Sequence, residues 1–219
     1  MYSWVTHTHT HLGGQCPHEC RYCYVQNSRF GKIPRYTGPV RMVNKELNAD
    51  YGRGKVIFIE HMNDLFAEGV PAAMISDIIE HCKRFPANQY VFQTKNPDRA
   101  RHWLSDLPAS MNILMGTTIE SNRHHEAMGK APAPELRYKA MMQFFPAAFV
   151  TIEPIMDFDV DILAKWIIDI KPAFVNIGAD SKGKGLPEPT PAKVRALIEA
   201  LYAGGVTIRK KTNLARLGL

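Results

Sequence analysis

Residues 55–94 read KVIFIEHMNDLFAEGVPAAMISDIIEHCKRFPANQYVFQT and alternate strand, helix and strand patterns. The runs at 55–60 and 90–94 are short, apolar, and rich in β-branched or aromatic residues, which favours strands. Between them, residues 71–85 carry an apolar stripe at helical spacing: Met74, Ile75, Ile78, Ile79 and Cys82. Because the two strand runs are almost continuously apolar, they are typical of a parallel sheet covered by helices. This stretch therefore predicts a β-α-β unit.

The same alternation continues along most of the chain. Further strands are predicted at 3–10, 112–118, 148–153, 173–178 and 205–210, and further helices at 98–107, 135–145, 159–170 and 190–205. The last of these helices has Thr190 as its N-cap, Pro191 in its first turn and Gly204 at its end. Repeated β-α units build right-handed parallel sheets, and seven strands are too few for an eight-stranded barrel. The sequence predicts an α/β fold of one domain over 1–219, a partial TIM-type β/α barrel with about six to seven parallel strands and outer helices.

Composition places the chain among ordinary globular proteins. It has 219 residues, of which 45% are hydrophobic and 22% are charged. No apolar run approaches the roughly 18 residues that a membrane span needs, and the N-terminus lacks the pattern of a secretory signal. We therefore expect a cytoplasmic protein without a membrane partner. The formal charge of +6 favours a polyanionic or phosphorylated partner.

Three of the four cysteines lie in CPHECRYC, residues 16–23. They are too close together to cross-link a domain, and Cys82 belongs to the apolar stripe of its helix, so a disulfide framework is not expected. A zinc site with Cys16, Cys20 and Cys23 and with His18 as fourth ligand is one alternative. Three thiolates on one loop also suit a [4Fe-4S] cluster whose fourth iron stays open. Metal or cluster ligation is the prediction.

The motif resembles that of the radical S-adenosylmethionine (SAM) superfamily. CPHECRYC matches its C-x3-C-x-aromatic-C pattern and follows the first predicted strand, as it does in that superfamily. The segments VFQTKNPDRA, ILMGTTIES, FVTIEPIMDF, FVNIGADS and TIRKK look similar to a small phage-associated radical SAM family of unsettled function. Spore photoproduct lyase is a more distant relative by architecture.

The resemblance implies a mechanism and a set of site residues. Cys16, Cys20 and Cys23 would each bind one iron of a [4Fe-4S] cluster, and SAM would bind the open iron. Reductive cleavage would then give a 5′-deoxyadenosyl radical that abstracts hydrogen from the substrate. The remaining cofactor-binding candidates are Tyr22 beside the adenine, Asn63 or Asp64 for the ammonium, Thr94 and Lys95 for the carboxylate, Thr118 and Glu120 for the ribose, and Asn176.

Three further residues are candidates for the chemistry itself. Glu153 and Lys210 stand at the ends of predicted strands, where α/β barrels carry their active sites. Strand alternation separates Lys210 from its two cationic neighbours, so at least one cation there should face the barrel. His9 lies in the alternating HTHTH run, whose histidines either face the substrate, bind a second metal, or only satisfy hydrogen bonds within the strand.

Basic and aromatic residues interleave over 24–41, a composition that suits phosphates and stacked bases. The leading hypothesis is a radical SAM enzyme acting on a nucleic-acid base or its substituent, as in phage-type DNA base hypermodification. The reaction would be that of an isomerase or mutase, a lyase, or another modifying enzyme. Its partners would be DNA or a nucleotide and a reductase or flavodoxin-type electron donor. One alternative keeps the enzyme but gives it a small metabolite, peptide or protein residue as substrate. The other is a non-catalytic iron-sulfur or zinc module that binds nucleic acid.

Overall fold

A computed structural model describes residues 2–105, 107–108, 110–143, 148–181 and 183–219. In chain order its strands are β1 (His7–His9), β2 (Leu12–Gly13), β3 (Arg41–Met42), β4 (Val56–Ile59), β5 (Gln89–Thr94), β6 (Asn112–Thr118), β7 (Ala148–Ile152), β8 (Phe174–Ile177) and β9 (Ile208–Lys210). Its α-helices are α1 (Asn44–Leu47), α2 (Ala72–Lys83), α3 (Pro97–Leu104), α4 (Pro134–Met141), α5 (Val160–Ile170) and α6 (Pro191–Ala203).

Seven of these strands form one sheet in the order β1-β4-β5-β6-β7-β8-β9, and β2 pairs with β3 in a separate antiparallel ribbon. The pairs β1–β4, β4–β5, β7–β8 and β8–β9 are all parallel. Among the described strands the order does not close into a ring. The predicted α/β fold, an open β/α barrel with outer helices, is confirmed.

Most predicted elements appear within a few residues of their expected bounds. Strand β6 has the bounds predicted from the sequence, and α6 has Thr190 as N-cap, with its hydroxyl accepting from Lys193 N, and ends at Gly204. The first strand is shorter than predicted because the chain turns before it, with Val5 N donating to Tyr2 O. The predicted end of α4 at 144–145 and position 106 after α3 lie outside the described residues.

The chain divides into two compact units, Met1–Glu19 with Cys23–Met115, and Cys20–Tyr22 with Gly116–Leu219. In the first unit α2 buries the predicted stripe, except that Met74 is only half-buried. The hydroxyl of Tyr90 on β5 lies 2.9 Å from the carbonyl oxygen of Cys82, so α2 covers that face of the strand. The prediction of a single domain stays a prediction.

The second unit has a larger apolar core built from α5, α6 and the strands beneath them. Its fully buried side chains include Val150, Ile152, Phe158, Leu163, Ile167, Val175, Val194, Leu197 and Leu201. Gly116 on β6 allows a close approach, because a Cβ there would lie 2.2 Å from the ring of Phe149. Any larger residue at Gly116 would therefore displace that ring.

Candidate functional site

The three cysteines of the CPHECRYC loop form no disulfide, and the fourth cysteine lies elsewhere in the core. Cys16 and Cys23 are partly exposed, whereas Cys20 is buried and donates from Sγ to Met128 O at 3.2 Å. Cys82 is fully buried in α2, and burial raises the pKa of its thiol above the usual range. The loop therefore offers three thiols for ligation, while Cys82 is held as a neutral core residue.

Gly14 sets the path of the chain into this loop. Its φ is +88°, and a Cβ at this position would lie 2.2 Å from the carbonyl oxygen of Pro39. A larger residue would be both strained and in collision with backbone. The Gly13-Gly14 pair thus allows the chain to pass close to the backbone at Pro39 as it runs from the β2–β3 ribbon into the CPHECRYC loop.

His18, inside the cysteine motif, is paired with Asp64, which follows β4. The His18 Nε2 lies 2.8 Å from Asp64 Oδ2, and both residues are buried. Coordination of a metal ion by His18 Nε2 would break this contact with Asp64. The arrangement makes His18 an anchor of the loop.

The Asp64 carboxylate is saturated with donors from neighbouring chain segments. Thr94 Oγ1 donates at 2.6 Å, Lys95 N at 2.8 Å and Phe66 N at 3.0 Å. Burial alone would raise the pKa of Asp64, but the charge and hydrogen bond of His18, with those of Thr94 and Lys95, lower it to about 2. Asp64, Thr94 and Lys95 therefore lie together in a network that ties the cysteine loop to the end of β5.

Asn63 adds a second tie to the loop, since its Nδ2 donates to Gly14 O at 3.3 Å while its Oδ1 accepts from Asp64 N. The cofactor contacts expected for Asn63, Asp64, Thr94 and Lys95 stay predictions. Their side-chain hydrogen bonds include contacts with one another and with the cysteine loop.

A buried hydrogen-bonded chain runs behind β1 in the same unit. Tyr51 Oη lies 2.6 Å from His11 Nε2, and His11 Nδ1 lies 2.8 Å from Glu60 Oε1. The Glu60 carboxylate also accepts from the backbone N–H of His11 and Leu12. Tyr51 was not identified from the sequence, because one tyrosine outside the strand-helix pattern gives no signal.

The other histidines of the HTHTH run have different surroundings. His7 is exposed, while His9 is half-buried, packs on the Tyr51 ring at 4.3 Å and lies 3.3 Å from Glu46 Oε2. Burial lowers the pKa of His9 despite the nearby Glu46 carboxylate. The three side chains therefore do not form one equivalent face, and the role of His9 in the chemistry stays a prediction.

In the second unit, Tyr22 of the cysteine motif donates its hydroxyl to Glu120, which follows β6. Arg137 on α4 lies on the other side of the carboxylate, with Nη1 2.7 Å from Glu120 Oε2 and 3.0 Å from Thr118 O. Its Nε donates to Pro132 O at 2.6 Å. Burial and the Glu120 charge raise the pKa of Tyr22 well above its usual value. These contacts bring Tyr22, Thr118 and Glu120 together.

Arg137 was missed from the sequence, although a signal exists. It precedes Ala140 by three residues and Met141 by four, and these two are also buried, so all three share the inward face of α4. An arginine at such a position is buried only when it is paired. Glu120, at the end of the preceding strand, is that partner.

Glu153, which follows β7, is paired with Lys211, the neighbour of the candidate residue Lys210. Lys211 Nζ lies 2.5 Å from Glu153 Oε2, and Asn213 Nδ2 lies 2.9 Å from Oε1, whereas Lys210 is exposed. Gly178 permits this arrangement, because a Cβ there would lie 2.8 Å from the Glu153 carboxyl carbon. Lys211 is thus the cation that contacts Glu153, and the roles of Glu153 and Lys210 in the chemistry stay predictions.

Asn176 on β8 is buried and donates from Nδ2 to Thr151 Oγ1 at 3.3 Å. The cofactor contact expected for Asn176 stays a prediction.

In the described parts of the chain, no three His, Cys, Asp or Glu side chains are already grouped as ligands for a metal ion. None of the described helices is both long and apolar enough to cross a membrane.

A family model described as "Protein of unknown function (DUF5131)" matches residues 2–197. No curated protein matches the chain. Two solved structures of spore photoproduct lyase variants are similar in fold, each at 15% sequence identity. One, a doubly substituted variant with bound AdoMet and dinucleoside spore photoproduct, has a TM-score of 0.51, with 88% of this chain and 60% of that chain covered.

The other is a variant with one tyrosine replaced by phenylalanine, with a TM-score of 0.52 and coverage of 88% of this chain and 59% of that chain. The chain thus spans about 60% of the length of the solved structures that it matches. At this identity the likeness concerns the fold, an open β/α barrel of the kind found in a SAM-binding lyase.

Proposed function

Because the chain belongs to the family described as "Protein of unknown function (DUF5131)", whose description names no activity, we propose a function from its residues and fold. The protein is a radical SAM enzyme that uses a [4Fe-4S] cluster. The observation that carries this proposal is the CPHECRYC loop, whose three cysteines form no disulfide and which follows β1 of an open β/α sheet and then the short β2. The fold likeness to an AdoMet-bound lyase supports it.

The three thiols fit the cluster by their chemistry, because thiolates are the usual ligands of iron-sulfur centres. When bound, the cluster and SAM supply a 5′-deoxyadenosyl radical that removes hydrogen from a substrate. The chain's own task is to hold and shield the reacting groups. The His18–Asp64 pair fixes the loop between Cys16 and Cys20, and Asp64 is in turn fixed by Thr94.

The proposed SAM contacts follow from the groups at the strand ends. Tyr22 would lie beside the adenine, with its ring orientation fixed by its hydrogen bond to Glu120. Lys95, whose backbone is held by Asp64, would place its ammonium near the SAM carboxylate. The Glu153–Lys211 pair would present a charged group toward the substrate.

For the substrate we propose a nucleic-acid base or its substituent. The net charge of +6 attracts a polyanion, and the dinucleoside bound by the structural neighbour is a precedent for a base as substrate on this fold. A modification of the DNA hypermodification type is one such reaction. The electron would come from a reductase or flavodoxin-type donor in the cytoplasm, a reducing compartment that suits free thiols.

A non-catalytic zinc module is the competing class. It would need a fourth ligand, which His18 could supply from Nδ1, because its Nε2 binds Asp64 and a carboxylate on the second ring nitrogen is usual for metal-bound histidines. Cleavage of SAM, which a zinc module cannot perform, is therefore what separates the two classes. A radical SAM enzyme for a small metabolite or peptide is the second candidate. It shares the same cysteine loop and differs only in the substrate surface.

The test is an anaerobic incubation of the iron- and sulfide-reconstituted protein with SAM, a strong reductant and DNA. We expect release of 5′-deoxyadenosine and a mass change in the digested nucleosides. Release of 5′-deoxyadenosine with unchanged nucleosides would remove DNA as the substrate and leave the small-molecule candidate. Release of none would contradict the radical SAM assignment.

A further inference from the structure

Five aromatic rings form a continuous series in the first unit, from the N-terminus to the residue after Cys23. We call Tyr2, Trp4, Tyr24, Phe58 and His61 the aromatic array. Tyr2 and Trp4 stack with ring centroids 5.2 Å apart and planes at 9°, and Tyr2 lies 6.2 Å from Phe58. Phe58 lies 6.0 Å from His61, and His61 lies 5.8 Å from Tyr24. The series thus ends at a residue covalently next to a proposed cluster ligand.

The array lies on the sheet face that α2 does not cover. Ile57 of β4 is in register with Tyr90 of β5, whose hydroxyl reaches the last turn of α2. Successive side chains of a strand point to opposite faces, so Phe58 and Gln93 point away from α2. The hydroxyl of Tyr2 donates to Gln93 Oε1 at 2.8 Å, which fixes Tyr2 on this same face. Phe58 and His61 also lie at the C-terminal end of β4, and β/α barrels carry their active sites at the C-terminal ends of their strands.

Tyr24 is both exposed and held in place. Its side chain keeps 41% of its accessible surface, the highest fraction among the array's large apolar rings. Its hydroxyl lies 2.8 Å from His61 O, 3.0 Å from His61 Nε2 and 3.2 Å from Met62 Sδ. An aromatic ring fixed through its hydroxyl and open on its body loses little conformational entropy when a ligand covers it. Such a ring is suited to stacking.

The loop after Tyr24 supplies cations for a charged strand. Arg35 and Arg41 are used internally, since Arg35 binds Glu46 and Thr10 O, and Arg41 binds carbonyl oxygens of its own loop. Arg29 and Lys32, in the turn of 3-10 helix Arg29–Lys32, are exposed. Arg29 and Lys32 thus offer exposed cationic side chains within eight residues of Tyr24.

We propose that the aromatic array is the surface on which an unpaired base of a nucleic-acid strand stacks, with Tyr24 as the contact nearest the cluster loop. Arg29 and Lys32 hold the flanking phosphates. Every base has a π-face, so this surface selects planar bases without selecting a sequence. The role of this base as the reacting group depends on the proposed radical SAM function, but its binding does not.

The experiment measures equilibrium binding by fluorescence anisotropy, using the full chain and a labelled single-stranded DNA oligonucleotide. The matched probe is an abasic oligonucleotide of the same length, which has the same phosphates but no bases. We expect the base-containing strand to bind about tenfold more tightly, because stacking on one aromatic side chain contributes about 1–3 kcal/mol per base. Equal affinities for the two strands would overturn the proposal.

Variants then assign the effect to the array. Tyr24→Ala should weaken binding of the base-containing strand about tenfold and leave the abasic strand unchanged, whereas Tyr24→Phe should keep most of the affinity because the ring remains. Tyr202→Ala, which removes an exposed tyrosine of α6, is the control and should have no effect. Loss of affinity for both strands in Tyr24→Ala, or no loss for either, would contradict stacking on Tyr24.

Two further measurements distinguish strand binding from mononucleotide binding and from the radical chemistry. A nucleoside monophosphate that binds as tightly as the oligonucleotide would contradict the strand component of the proposal. The binding assay needs neither reductant nor SAM cleavage, so failure of the radical chemistry leaves its result intact. Conversely, 5′-deoxyadenosine release with no preference for bases would overturn only the stacking surface.

Discussion

Arg137 and Glu120 form an ion pair in which both side chains are fully buried and Nη1 lies 2.7 Å from Oε2. The pair joins the inward face of α4 to the end of β6, and the Tyr22 hydroxyl of the cysteine motif binds the same carboxylate. Two buried charges that satisfy each other are costly to separate, because the remaining charge has lost its solvent and gained no partner. This pair therefore fixes one end of the cysteine motif within the second unit.

Replacing Arg137 with methionine should strongly destabilise the protein. The substitution keeps an apolar stem but leaves the Glu120 carboxylate buried without its cation, so we expect the free energy of unfolding to fall by about 3–5 kcal/mol. Urea denaturation at neutral pH measures this loss.

The matched control is Lys139→Met on the same helix, which removes an exposed pair with Glu135. That change should cost less than about 0.5 kcal/mol. If Arg137→Met is too unstable to purify, the double variant with Glu120→Gln should recover part of the stability, since no buried charge remains. A single variant as stable as the control would refute the structural role of the pair.

Tyr22→Phe isolates the hydrogen bond made by the cysteine motif. The ring remains, but Glu120 loses a donor, and hydrogen bonds to charged groups contribute about 1.5–3 kcal/mol. We expect a loss of this size in urea denaturation, while iron content after reconstitution stays unchanged because no ligand is removed. Tyr202→Phe, at an exposed position, should change neither. Unchanged stability of Tyr22→Phe would show that the hydroxyl does not bind Glu120 in solution.

Asp64 should make the protein sensitive to acid. Its pKa is lowered to about 2 in the folded state, below the roughly 3.9 of an unfolded chain. Its contribution to stability is therefore fully present above about pH 4 and is lost as the pH falls toward 2. The difference between the two pKa values corresponds to about 2.6 kcal/mol of stability.

Asp64→Asn should accordingly lower the free energy of unfolding near neutral pH by about 2.6 kcal/mol, and the difference from the unsubstituted protein should shrink below pH 4. Urea denaturation across this pH range measures both. Asp77→Asn, at an exposed position on α2, is the control. A difference that is the same at pH 2 and at pH 7 would mean that the Asp64 charge contributes nothing.

The fold could be predicted from the sequence because each long strand and helix has a strong apolar pattern of its own. Strand β6 and helix α6 show this, since their bounds follow from continuous apolar runs and from the Thr190–Gly204 capping residues. The short β2–β3 ribbon was not predicted, because two-residue strands carry no periodicity.

The candidate site could be predicted only in part, because its polar contacts join residues far apart in sequence. Asp64 was identified as a strand-end carboxylate, but its pairing with His18 needs a loop geometry that spacing does not encode. The contact between Glu153 and Lys211 likewise joins the ends of two strands whose proximity the spacing does not encode. Arg137 was overlooked because charged residues on helices are normally exposed.

We propose that Cys16, Cys20 and Cys23 hold a cluster that allows reductive cleavage of SAM. The most direct measurement is iron and sulfide content together with 5′-deoxyadenosine release, on the anaerobically reconstituted protein and its single Cys→Ala variants. We predict that Cys16→Ala, Cys20→Ala and Cys23→Ala lose most of the cluster and all 5′-deoxyadenosine, while Cys82→Ala keeps both. Unsubstituted protein that binds no [4Fe-4S] cluster, or that binds one and releases no 5′-deoxyadenosine, would contradict the claim.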